Sequence, residues 1–231
     1  MREIVFDTET TGLSFSGGDR LVEIGCVELH NRVMTGRTFH AYINPGRPMP
    51  VEAFNVHGLS DAFLADKPSF EAVVEDLLDF IGDDVPLVAH NAGFDFSFLN
   101  GELGRCGRPI VSLDRMVDTL ALARVRHPGS KHTLDALCSR YGIDLSARTL
   151  HGALLDAQLL AQVYVELTGG RQITLGLAVD KPVVVETRIE APVRAQVRPP
   201  RHFAPSAEEL ERHAAFVKVL ENPLWEGAQT G

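Results

Sequence analysis

With 231 residues, 45% of them hydrophobic and 23% charged, the chain has the composition of a soluble globular protein with room for one sizeable domain and an appendage. Its net charge of −9 argues against holding nucleic acid on a broad basic face, and no apolar run approaches the roughly 18–20 residues of a membrane span. Cys26, Cys106 and Cys138 are odd in number, far apart and outside any CxxC spacing, which favours reduced core thiols of a cytoplasmic protein over disulfides or a zinc site.

The N-terminus enters a strand directly, Arg2–Asp7, so no secretory signal is expected. Leu21–Leu29 and Thr38–Ile43 read as two more strands, joined by a polar turn over Asn31–Arg37. Phe70, Val73, Val74, Leu77, Leu78 and Ile81 recur at helical spacing between Pro68-Ser69 and Gly82, predicting a helix over 70–81. Val85–Ala89 is a short apolar run suited to a central strand. Helices follow near 93–104, 119–126, 133–141 and 151–168, the last stopping at Gly169-Gly170. Strands first, then helices with a βαβ crossover, predict an α/β fold whose mixed central sheet is flanked by helices.

Beyond residue 170 the composition changes. Residues 178–205 carry five prolines and several arginines with weak periodicity, a flexible linker in character. Ser206-Ala-Glu-Glu209 then has the form of a capping box opening a helix with Leu210, Ala214, Val217 and Leu220 on one stripe. The chain closes on NPLWEGAQTG, which holds its only tryptophan.

Near the first strand the run IVFDTETTG puts Asp7 and Glu9 two residues apart, on one face if the strand continues. No Lys or Arg lies between Arg2 and Arg20 to relieve their repulsion. A distant basic residue, a solvated turn or a metal ion would each answer it. His90-Asn-Ala-Gly-Phe-Asp95 supplies a further acid, with Asn91 as N-cap placing Asp95 in the first turns of a helix. His151-Gly-Ala-Leu-Leu-Asp156 supplies another: five helical residues turn about 500°, so His151 must stand on the entry segment if it is to meet Asp156. Singly, each acid reads as a turn or helix-dipole residue, and His57 as an ordinary loop residue. Together, four acids from three elements and one imidazole make a site for two hard divalent cations, Mg²⁺ or Mn²⁺. Such a pair stabilises the entering and leaving oxygens of a phosphoryl displacement, with a neutral His beside it to take a proton.

The ordered set DTETTGL, HNAGFD and HGALLDA resembles the three motifs of the DEDDh 3′→5′ exonucleases, a branch of the ribonuclease H-like fold. VHG at 56–58, DTLALAR at 118–124, LDALCSRYGID at 134–144 and RTLHGALLDAQLLAQVY at 148–164 are similar to its proofreading ε-subunit branch in bacterial DNA polymerase III. That resemblance implies an exonuclease domain over 1–170, with Asp7, Glu9, Asp95 and Asp156 as metal ligands and His151 as general base. It implies that Thr10, His57 and Asn91 hold the terminal nucleotide of a single-stranded or mispaired DNA 3′ end. Gln172-Ile-Thr-Leu175-Gly-Leu177 resembles a sliding-clamp-binding peptide over 171–177, and the segment 206–231, with Leu224 and Trp225, is expected to hold the polymerase subunit. An exoribonuclease of the same superfamily and a non-catalytic replisome tether are the rival readings.

Overall fold

The computed structural model describes residues 1–146, 148, 150–170 and 204–219. The chain divides into two units, Met1–Val179 and Asp180–Gly231. The first is built on five strands: β1 (Arg2–Thr10), β2 (Leu21–His30), β3 (Val33–Tyr42), β4 (Leu87–Ala89) and β5 (Met116–Asp118), in the order β3-β2-β1-β4-β5. β1, β2 and β3 pair antiparallel, while β4 and β5 add parallel on the other side of β1. The expected mixed sheet is present.

β1 is central, and its Ile4, Val5 and Phe6 are wholly buried because both faces are covered. Its even-numbered side chains, Ile4 and Phe6, pack with α3 (Phe70–Ile81) and α4 (Gly93–Arg105). Its odd-numbered Val5 packs with Ala157, Leu160, Ala161 and Tyr164 of α7 (Ala153–Leu167). Glu3 on the same face is not left unpaired: it accepts a hydrogen bond from the Tyr164 hydroxyl at 2.6 Å and pairs with Arg32. α5 (Thr119–Arg126) and α6 (Leu134–Tyr141) complete the layer on α7 through Ala123, Leu137, Leu159 and Val163.

Several boundaries differ from the sequence reading. β1 runs on to Thr10, so Asp7 and Glu9 are strand residues rather than the start of a turn. The polar stretch 31–37 is not one long turn. Asn31 and Arg32 take left-handed φ values of 51° and 65°, the conformation a two-residue hairpin needs, and the strand resumes at Val33. The strand expected over Thr38–Ile43 is the second half of β3; its first half, Val33–Arg37, is an exposed edge and carries no hydrophobic pattern. The helix 51–57 was also missed: α1 (Val51–His57) starts after Pro50 and stops at left-handed Gly58, and α2 (Asp61–Leu64) follows it. His57 is thus the buried last residue of a helix, not a loop residue. β5 has only three residues, too few for any periodicity.

Cys26, Cys106 and Cys138 are free thiols; Cys26 and Cys138 are buried as expected, and Cys106 is partly exposed. In the second unit α8 (Ala207–Val217) opens with the predicted capping box, the Ser206 hydroxyl accepting from the Glu209 amide and the Glu209 carboxylate accepting from the Ser206 amide. The expectations for Gln172, Leu175, Leu177, Leu220, Leu224, Trp225 and most of the linker lie outside the described residues. Among the described residues no helix is long and apolar enough to cross a membrane.

Candidate active site

The carboxyl end of β1 is where both covered faces of the sheet come within reach of one cleft. Strand alternation turns Asp7 and Glu9 to the α7 side, in line with Glu3 and Val5. Asp156 sits in the first turn of α7 and is buried. Asp95 arrives from the opposite layer, in the first turn of α4, and is held there by the Thr8 hydroxyl, which donates to its Oδ1 at 2.7 Å. Thr8 thus points the other way from its two acidic neighbours and ties α4 to the strand between them.

The helix carrying Asp95 is not capped as the sequence suggested. Asn91 adopts a left-handed φ of 61° and makes no side-chain cap; its amide and that of Ala92 donate to Asp118 Oδ1 at 2.9 and 3.3 Å. The same oxygen accepts from Leu120 at 2.9 Å and so caps α5. One carboxylate therefore fastens the β4–α4 turn and the start of α5 together. His90 is satisfied too. Thr119 donates to the Ala89 carbonyl, so the Thr119 oxygen accepts from His90 Nδ1 at 2.9 Å.

The acids, Phe94, His90, Asn91, Arg124, His132, Arg148 and His151 line a cleft of about 710 Å³. Burial above all, then the charges of Asp95, Glu9 and Asp156, raises Asp7 well above the ordinary carboxylate range. Burial, with Glu23 and Asp156 next, lifts Glu9 to about 8, against the lowering influence of Arg148. Burial lifts Asp95 to about 7 despite the Thr8 hydrogen bond that favours its charged form. Burial first and like charge second therefore disfavour the ionised forms of these acids.

His151 stands on the entry segment, just before α7, as its separation from Asp156 required; its amide donates to Val56 at 3.3 Å. Its exposed ring places Nδ1 3.1 Å from Asp156 Oδ2. Ligand atoms of Glu9, His151 and Asp156 lie within 4.8 Å of one another. The donor set of carboxylate oxygens with one imidazole fits hard divalent ions, and a positive group already sits among them. Arg148 donates through Nε to Asp156 Oδ1 at 2.5 Å and through Nη2 to Oδ2 at 2.7 Å, and it also binds Asp135. A guanidinium fork on a carboxylate is a strong, planar pairing, and with side chains only 9% and 3% exposed its loss costs about 3–5 kcal/mol. Of the three partners open to the Asp7–Glu9 pair, a distant basic residue is therefore real, although it is Asp156 that the arginine grips.

Thr10 and His57 belong to a second cavity of about 590 Å³, with Leu13, Pro50, Ala53, Val56 and Phe94, which meets the first at Thr8, Glu9 and Phe94. Thr10 donates to the Gly12 carbonyl at 2.6 Å, and His57 Nδ1 accepts from the Leu59 amide at 3.1 Å. His57 Nε2 is buried without a hydrogen-bond partner among the described residues, and burial lowers the ring's pKa, which favours the neutral form. Asn91 lines the acidic cleft instead. Arg148, Thr8 and Asp118 were missed as site residues, although Arg148 and Asp118 each open one of the runs that carried the family resemblance.

The family model described as Exonuclease matches residues 4–164. A DNA polymerase III subunit epsilon from Rickettsia felis is 49% identical over 224 residues, covering 95% of this chain and 97% of that protein. Among solved structures, Exonuclease X in complex with 5′ overhanging duplex DNA aligns with TM-score 0.57 at 27% identity, over 71% of this chain and 90% of its own. The nuclease domain of 3′hExo, a DEDDh family member bound to rAMP, shares the fold with TM-score 0.63 at 17% identity, over 72% and 91%. The chain therefore belongs to the exonuclease family and, within it, to the DNA polymerase III epsilon subunits, 3′→5′ proofreading exonucleases on a ribonuclease H-like fold.

Proposed function

We propose that this exonuclease removes mispaired 3′-terminal nucleotides from DNA as 5′-monophosphates, using a pair of divalent cations, Mg²⁺ or Mn²⁺, held by Asp7, Glu9, Asp95 and Asp156. Divalent metal use goes with the family. When bound, such ions neutralise the phosphate and stabilise the charge that builds on the entering and leaving oxygens. The chain's own residues do the rest. His151, at the solvent-facing rim beside Asp156, accepts the proton of the attacking water. The cavity of Thr10, His57, Leu13 and Val56 takes the terminal base, its apolar walls stacking or packing on any of the four, while Asn91 contacts the nucleotide from the acidic side. Arg124, an exposed cation lining the acidic cleft, meets an upstream phosphate.

The observation that carries this reading is the convergence of four carboxylates from β1, α4 and α7 on one cleft with an imidazole at its rim. Mispaired ends are favoured because a site for single strands takes least energy to fill from a frayed terminus. In this reading the protein works in the bacterial cytoplasm, tethered to the polymerase subunit through 206–231 and to the sliding clamp through 172–177.

The test is incubation of the full chain with a 3′-mispaired primer–template and Mg²⁺, with and without EDTA, scoring released mononucleotides. Faster release from paired than mispaired ends, or release that survives EDTA, would reject the proposal. Equal-length DNA and RNA single strands, run in parallel, decide between the editing and RNA-trimming readings. Pull-downs with clamp and polymerase test the tail.

A further inference from the structure

We propose that Arg148 is a built-in occupant of the cation position at Asp156, which divalent ions must displace. The inference rests on the metal-ligand assignment made above.

Both oxygens of Asp156 are engaged by the Arg148 fork, at 2.5 and 2.7 Å. A carboxylate so paired presents nearly no net charge to an incoming ion, and the fork takes one lone pair on each oxygen. An ion that takes those same positions on Asp156 must displace the guanidinium. The same Nη2 lies 2.7 Å from His151 Nδ1. Asp156 Oδ2 lies 3.1 Å from the same ring nitrogen. One side chain therefore sits against both the candidate ligand and the candidate base.

What holds Arg148 in place is also on display. Its remaining arm reaches Asp135 on α6, a carboxylate that is itself mostly exposed. Around the cluster, Glu9, Asp7 and Asp135 all attract the guanidinium, while Thr8 and Asp95 belong to the other layer. The cation position is thus contested between a tethered monovalent group and free divalent ions. Divalent charge and carboxylate ligation favour the ions once they are abundant. The displaced guanidinium remains tethered at the cleft, where an entering phosphate offers it a replacement partner.

The experiment is calorimetric titration of the full-length protein with Mn²⁺ alone, without nucleic acid. Arg148→Met keeps the aliphatic stem and removes the competitor; it should bind Mn²⁺ about tenfold more tightly than the wild type. Arg148→Lys, which keeps the charge but not the fork, should fall between them. Asp135→Asn loosens the arginine without touching a ligand and should tighten binding in the same direction, so the idea stays testable if Arg148→Met folds poorly. Unchanged or weaker Mn²⁺ binding in Asp135→Asn and in folded Arg148→Met overturns the proposal. Asp7→Asn is the control. If it binds Mn²⁺ as the wild type does, or the wild type binds none, the ligand assignment falls and takes this inference with it.

Discussion

Gly25 of β2 lies opposite Asp7 in the sheet, and the backbone of Leu154 passes directly over it. A Cβ at residue 25 would fall inside the contact distance of the Leu154 nitrogen and Cα. That missing side chain lets the first turn of α7 settle onto the strands, which brings Asp156 to Asp7 and Glu9. Gly25→Ala is expected to push α7 away, costing about 1–3 kcal/mol by overpacking and reducing hydrolysis far more than stability. Thermal denaturation and nucleotide release on the same preparation check it; full activity would mean that the helix can shift without moving Asp156.

Removing a ligand should disarm the enzyme while relaxing the fold. Asp7→Ala is expected to lose on the order of 10³-fold in rate or more. Because burial and four neighbouring acids oppose the charge of Asp7, the variant should also melt at a higher temperature than wild type in EDTA. Near-normal hydrolysis by a folded Asp7→Ala protein would contradict its place among the ligands.

The acids also set a pH dependence. Glu9 rises from an ordinary 4.5 to about 8, and Asp95 from 3.8 to about 7, burial being the leading cause of both. Between those limits the folded protein keeps protons that the unfolded chain has released. Stability present in full below about pH 4 is therefore lost as pH rises through 7 and 8. Melting temperatures in EDTA should fall between about pH 5 and pH 8.5, and Mn²⁺ should flatten the decline by stabilising the charged forms. A profile equally steep with and without Mn²⁺ would rule out these groups as the metal's ligands.

His151→Gln should leave Mn²⁺ and DNA binding intact and lower kcat by about 10²–10⁴-fold, the contribution of a positioned base. Its KM should change little. A variant losing affinity rather than turnover would make His151 a substrate contact instead.

The candidate site residues were legible as a set. Acids two apart on a strand, and again near the start of two helices, read singly as turn or helix-dipole residues and only together call for a positive partner. The expected helix over 151–168 begins at Ala153, so His151 stands outside it, as its meeting with Asp156 would require. The helix over 70–81 and the capping box at Ser206 were equally plain, since helical periodicity and caps are local properties. β5 and the first half of β3 were not: β5 has three residues and Val33–Arg37 is exposed throughout, so neither carries a hydrophobic period.

Residue types and their order say which acids would gather and in what order the chain delivers them. Which side chains become neighbours follows from the folded arrangement. Nothing in the run of letters says that Gly25 makes room for Leu154, that Thr8 anchors Asp95, or that Arg148 grips Asp156 and His151 at once. Those are contacts between elements. Their geometry follows from sheet register and helix packing, which are fixed by the whole core rather than by any local stretch.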